Sequence, residues 1–191
     1  MGKTATNIGC DKASIWKRTE GTTVTYGTAI DFSKRIISVG YEPTIAKGQL
    51  DAGDVVADTY MGKTGANLDI NVINLSSADR VALFGEELDD ETNVETGDDF
   101  IPYIVFAWAS KRSDGKYDLF KVMKAMFEPG SEKYETVKKG DVTYNTKSIK
   151  GVADTDGDNK TIRYVYYGAD VTTDATLIST WFATADYHKT V

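Results

Sequence analysis

Cysteine is almost missing from this sequence. Cys10 stands alone among 191 residues, so no intrachain disulfide forms and the fold does not depend on an oxidising compartment. Histidine is equally scarce, with His188 the single example. A zinc site built from Cys and His ligands is thereby excluded. A Ser/His/Asp or Cys/His catalytic set would need His188, near the end of the sequence, held rigidly against a serine or Cys10. Acidic residues cluster in loops, and no pair stands out as glycosidase-like. The expectation is a non-enzyme with no catalytic residue, no cofactor and no metal.

Other shortages bound the class further. There are three prolines (Pro43, Pro102, Pro129) against seventeen glycines, which fits short elements joined by tight turns. No apolar run approaches the roughly 20 residues of a membrane helix, and residues 1–6 lack the apolar stretch of a secretory leader. No membrane association is expected, and synthesis is expected in the cytoplasm. Positive charge is also short: 22 Lys and Arg against 29 Asp and Glu leave a formal charge of −7. An acidic surface does not make a tight phosphate-binding interface, but it does not bar DNA from passing unbound.

Three motifs nearly match and fail on a specific residue. Gly2 with Thr6 fits a myristoylation pattern too short to carry weight. Gly62-Lys63-Thr64 ends like a phosphate-binding loop, but Ala57 stands where its first glycine belongs. Asp154, Asp156 and Asp158 have the one-three-five spacing of a calcium loop. However, its glycine falls at 157 rather than at Asn159, and Val165 replaces the closing glutamate. The last two read as turns.

The remaining pattern is mostly strands. Ser14–Arg18 and Val24–Gly27 read as short strands, and Ile36–Tyr41 as another that stops at Glu42-Pro43. Thr44–Gly65, carrying Gly48, Gly53, Gly62 and Gly65, reads as a long hairpin or an extended loop of the kind that makes contacts. Leu68–Val72 alternates apolar and polar residues, as a half-buried strand does. Ser76 or Ser77 can cap a short helix with Asp79 in its first turn and Gly85 as its stop. Phe100–Ala109 is the most apolar stretch and reads as a core strand. Lys111–Lys116 turns the chain at Asp114-Gly115 into a strand over Tyr117–Phe127. Val142–Val152 and Ile162–Tyr167 are further strands around a turn at Asp154–Asp158. Leu177, Ile178, Trp181 and Phe182 fall on one face of a helix that starts near Thr173 or Asp174. The expected fold is mainly β, a β-sandwich with one or two short helices, in a single domain over 1–191 with an extended loop or hairpin arm at 44–65.

Residues 102–151 carry a resemblance. Pro102-Tyr103-Ile104-Val105-Phe106-Ala107-Trp108 is followed by Lys111–Tyr117. A strand then ends in Phe127-Glu128-Pro129, the segment Glu135–Asp141 follows, and a polar strand ends in Ser148-Ile149-Lys150-Gly151. In order and spacing this resembles the major tail (tail tube) protein family of long-tailed, non-contractile bacteriophages of Gram-positive bacteria. Leu83-Phe84-Gly85, Trp181-Phe182 and the strand near Ser38–Pro43 resemble it too. The resemblance implies a tail-tube fold whose subunits form six-membered rings stacked into a hollow tube in the virion. One sheet of each subunit joins its neighbours around the lumen. By the same resemblance the partners are other copies of the chain, a tape-measure protein, a tail terminator and a distal tail protein, with double-stranded DNA as non-specific cargo.

Charge is distributed unevenly. Residues 86–99 hold eight carboxylates and no cation. Taken alone, such a run is a solvated loop, a cation site or a docking surface. Residues 121–150 hold seven lysines against four acids. The candidate contacts between subunits are accordingly Glu86, Glu87, Asp89, Asp90 and Glu91 on one side and Lys138 and Lys139 on the other. The competing reading is a non-catalytic carbohydrate- or protein-binding β-sandwich module with Tyr164, Tyr166 and Tyr167 as a platform.

Overall fold

The computed structural model describes residues 5–52, 55–90, 92–130, 146–157 and 160–188. The chain is mainly β and antiparallel. Its elements are β1 (Asn7–Thr19), β2 (Thr25–Tyr26), β3 (Ile30–Asp31), β4 (Ile36–Ala52), β5 (Val55–Val72), α1 (Ser77–Phe84), β6 (Glu87–Asp89), β7 (Thr92–Val94), β8 (Tyr103–Arg112), β9 (Tyr117–Phe127), β10 (Lys147–Ala153), β11 (Arg163–Ala169) and α2 (Ala175–Ala183). One nine-stranded sheet runs in the order β2-β1-β8-β9-β10-β5-β4, with β3 added beside β1 and β11 beside β9. A separate two-stranded hairpin pairs β6 with β7.

The sheet folds over on itself. Ala13 and Ile15 of β1, Ile104, Phe106 and Trp108 of β8, Leu68 and Ile70 of β5 and Ile149 of β10 all belong to one buried cluster, which Leu83 and Phe84 of α1 also enter. The β1–β8–β9 half therefore faces the β10–β5–β4 half in sandwich fashion. Alternation along β8 accounts for its continuous apolar sequence. Its even-numbered residues fill that cluster, while Val105, Ala107 and Ala109 point the other way, into a second cluster with Leu177, Ile178 and Trp181 of α2. A strand buried on both faces loses the polar half of its pattern. Each large α2 side chain so covered contributes about 1.5–3 kcal/mol.

The fold-over has a local cause in β9. Ile104 pairs with Ala125 and Phe106 with Val122, so two residues of β9, Met123 and Lys124, oppose Val105 of β8. This is a β-bulge at Met123–Lys124, which bends the strand and shifts its side-chain phase. Val122 points into the first cluster, and beyond the bulge Ala125 and Phe127 do as well. At the same place the other edge of β9 changes partner, from β11 (Arg163 opposite Val122) to β10 (Ala153 opposite Ala125). The Met123 carbonyl accepts from Arg18 Nη1 at 2.9 Å. Gly151 of β10 crosses Phe127 so closely that a Cβ would sit 2.5 Å from its Cδ1 and 2.6 Å from the Met126 carbonyl oxygen.

Both helices follow their local signals. Ser76 Oγ accepts from the Asp79 N–H at 3.3 Å, and Asp79 Oδ2 accepts from the Ser76 N–H at 2.7 Å, closing a capping box. Arg35 Nη1 meets the buried Asp79 carboxylate at 2.7 Å. Gly85 ends α1 at φ 77°, where an added Cβ would lie 2.3 Å from the Phe100 carbonyl oxygen. In α2, Asp174 caps by position without a side-chain bond to the helix. Its Oδ2 accepts from the Asp170 N–H at 3.0 Å.

One strand boundary expected from sequence is corrected. β4 does not stop at Glu42-Pro43 but continues to Ala52, with Pro43 opposite Ala66. β4 pairs only with β5 among the described residues, and an edge strand tolerates a residue with no N–H to give. The segment 44–65 is thus an arm built from the outer halves of two long strands. Of Val142–Val152, residues 142–145 lie outside the described residues and the observed strand begins at Lys147.

Candidate assembly surfaces

The sequence candidates separate into three groups. Glu86 is buried, its carboxylate gripped by Arg80 through Nε to Oε2 at 2.8 Å and Nη2 to Oε1 at 2.6 Å. It is committed within its own subunit because the Gly85 turn folds it back onto α1. Glu87, Asp89 and Asp90 are exposed on the β6–β7 hairpin and its turn. Glu91, Lys138 and Lys139 lie outside the described residues.

The hairpin is attached through one of its faces. Asn93 Nδ2 donates to the Ser77 carbonyl at 3.3 Å, turning the Leu88–Asn93 side toward α1. The opposite face carries Glu87, Asp89, Thr92 and Val94, all exposed. That face is acidic, with Val94 as its apolar residue beside Glu87.

The arm is the outer part of β4, a strand of 17 residues, and of β5, a strand of 18. Most of its described outer positions are exposed, including Ile45, Tyr60 and Met61. The pairings Ile45–Lys63 and Lys47–Met61 put those four side chains on one face. The other face holds Ala46, Gly48, Gly62 and Tyr60, whose ring lies across Gly62. One side of the arm is therefore basic and apolar, and the other is flat. Sequence reasoning did not single out Ile45, Lys47 or Met61, and it took Gly62-Lys63-Thr64 for a turn, whereas the triplet lies inside β5. Their period-two alternation was available but was masked by the glycines and by the assumption of a break at Pro43.

The inner halves of β4 and β5 with β10 present a polar outer surface. Ser148 Oγ donates to Asp69 Oδ1 at 2.9 Å, and Asn71 Nδ2 donates to Ser38 Oγ at 2.9 Å. A shallow groove of about 600 Å³ crosses it, lined by Glu42, Asp69, Glu128 and Lys150 among others. Three acids against one lysine leave it net negative.

Groups nominated for chemistry sit in ordinary structural roles. Asp156 is bound by Arg18 Nη2 at 2.6 Å and Asp154 lies 3.9 Å from Lys124 Nζ, so these two carboxylates face cations of the body. Asp158 lies outside the described residues. The Cys10 thiol is pushed up to about 11 by burial and by Asp11, away from the thiolate range that reactivity needs. His188 stacks on Tyr164 with ring centroids 4.2 Å apart. Tyr164 and Tyr166 pack into the α2 cluster, whereas Tyr167 meets Phe120 edge-on. The three tyrosines share no flat platform. No helix among the described residues is long and apolar enough to cross a membrane.

Two buried cations went unforeseen, Arg18 and Lys121. Lys121 is fully buried, with Nζ donating to the Thr184 and Tyr187 carbonyls at 2.8 and 2.9 Å. It lies 5.2 and 5.0 Å from the ring centres of Trp16 and Trp181. Burial brings its pKa down to about 7, with Asp186 acting in the opposite direction. It fastens the segment after α2 to the sheet.

No family model matches the sequence, and no curated protein does. Among solved structures, a chain from the cryo-EM structure of the anti-feeding prophage (AFP) baseplate, 6-fold symmetrised, is similar at a TM-score of 0.43 and 10% identity. The match covers 87% of this chain and 97% of that one.

Proposed function

We propose that this chain is a structural virion protein that self-assembles into stacked hexameric rings, forming the hollow tail tube of a long-tailed, non-contractile bacteriophage. The observation that carries the reading is the β4–β5 arm. A two-stranded ribbon is marginal in water on its own, and this one exposes Ile45, Tyr60 and Met61 with no further described strand beside it. The unpaired edge of β4 is a ready template for another chain. Both needs are met together when neighbouring copies pack around a closed ring. The resemblance of residues 102–151 supplies the identity of the assembly.

In this reading the chain has no catalytic role. The net-negative surface around Glu42, Asp69 and Glu128 is the side offered to the lumen, where it would repel phosphates and let DNA slide. Tape-measure, terminator and distal tail proteins are its partners at the core and ends of the tube. Glu87, Asp89 and Asp90 are the exposed acidic contacts, with Lys138 and Lys139 retained as candidate counterparts.

Negative-stain imaging of the purified protein at rising concentration tests the proposal. Rings or hollow rods are expected. Protein that stays monomeric while binding a glycan array would instead establish the binding-module reading, which the dispersal of Tyr164, Tyr166 and Tyr167 disfavours.

A further inference from the structure

We infer that the basic face of the arm docks on the acidic β6–β7 hairpin of a second copy of this chain, in a head-to-tail contact. The inference rests on the reading of the chain as a self-assembling subunit and names the surfaces that join successive copies.

The two faces are complementary in charge. The arm presents Lys47 and Lys63 with Ile45 and Met61. The hairpin presents Glu87 and Asp89 with Val94, on the side turned away from α1. Each face is an exposed patch of two strands, and each combines two like charges with apolar surface that its own body leaves open. Opposite charges steer the encounter and fix register, while the apolar pairs supply contact area.

Topology decides that the contact lies between copies. The arm is the outer part of β4 and β5, whereas α1 and the acidic hairpin follow the inner end of β5 at Val72. Glu95, just past β7, lines a cavity with Lys147, the residue opposite Val72. From Lys63 to Val72 the strand covers about 30 Å at roughly 3.3 Å per residue, so one chain holds its two patches at opposite ends. An arm that reaches a hairpin therefore reaches that of another copy. A contact between two different surfaces repeats from copy to copy and does not close on a pair. Such a contact closes into a ring or continues as an open stack, the two modes of growth that a tube of stacked rings combines.

The test uses full-length protein carrying substitutions at exposed positions: Lys47→Glu with Lys63→Glu, Glu87→Lys with Asp89→Lys, and all four together. The readout is the critical concentration for rod formation by sedimentation, with circular dichroism to verify folding. Each two-site variant should raise that concentration by at least about tenfold, because like charges then face each other. The four-site swap should return it to within about threefold of the wild type. Mixing the two defective proteins should restore rods of alternating subunits, because the basic arm of one meets the acidic hairpin of the other and the acidic arm of the second meets the basic hairpin of the first. Wild-type rods with an unaffected Lys47→Glu/Lys63→Glu variant would overturn this contact and leave self-assembly standing. So would a swap no better than either half, or loss of growth only in Lys138→Glu/Lys139→Glu. Wild-type protein that forms no assembly would overturn both.

Discussion

Lys121→Met is a perturbation whose effect should change steadily with pH. The wild-type ammonium sits between two indoles, bonded to two carbonyls and fully buried. Burial brings its pKa from 10.5 down to about 7, opposed by Asp186. In the unfolded chain the lysine returns to its ordinary value. Below about pH 7 both states hold the proton, and the folded state bears the full penalty of a buried charge. Above that point the unfolded chain binds a proton that the folded chain lacks, so stability rises with pH until the ordinary value is reached. The slope for one proton is about 1.4 kcal/mol per pH unit. Methionine has a similar length and no proton, and leaves the Thr184 and Tyr187 carbonyls without their donor at a pH-independent cost of about 1–3 kcal/mol. The wild-type advantage over the variant should therefore grow by about 2–3 kcal/mol between pH 7.5 and 9.5. Urea unfolding at a series of pH values, below the assembly concentration, measures it. Parallel stability curves would refute the buried-cation account.

Four further substitutions probe the elements that bend the sheet and seat α1. Gly85→Ala should lose about 2–4 kcal/mol, because a left-handed residue and a clash with the Phe100 carbonyl coincide there; an unchanged urea midpoint would contradict this. Arg18→Met strands the Asp156 carboxylate and the Met123 carbonyl at the β9 bulge, and a loss of about 3 kcal/mol is expected by the same assay. Asp156→Asn, which keeps a hydrogen-bond acceptor, should lose less. Gly151→Ala pushes a methyl group into Phe127 and should lower thermal stability by about 1–3 kcal/mol.

What the sequence made legible were features whose causes are local. α1 is bounded by Ser76 and Gly85, whose side chain and conformational freedom act on their own turn. α2 shows its buried stripe directly in Leu177, Ile178 and Trp181, and the apolar run in β8 marks a strand covered on both sides. What stayed hidden depends on residues far apart in the chain. Pro43 looked like a terminator because an edge position is decided by which strands are absent beside it. The β9 bulge exists only relative to β8, so no period in residues 117–127 announces it. Nothing in the sequence marked Lys121 and Arg18 as buried, because their burial is set by residues some 60 or more positions distant. Glu86 looked like part of an acidic loop until the turn at Gly85 brought it under Arg80.

The central claim, that copies of this chain build a hollow tube, is tested most directly by cryo-EM of the concentrated wild-type protein, with end-on views averaged for rotational symmetry. The account predicts sixfold rings around an open lumen, stacked into rods, with the β4–β5 arm of each subunit ordered against another copy. Monomers at every concentration, or solid fibres without a lumen, would contradict it.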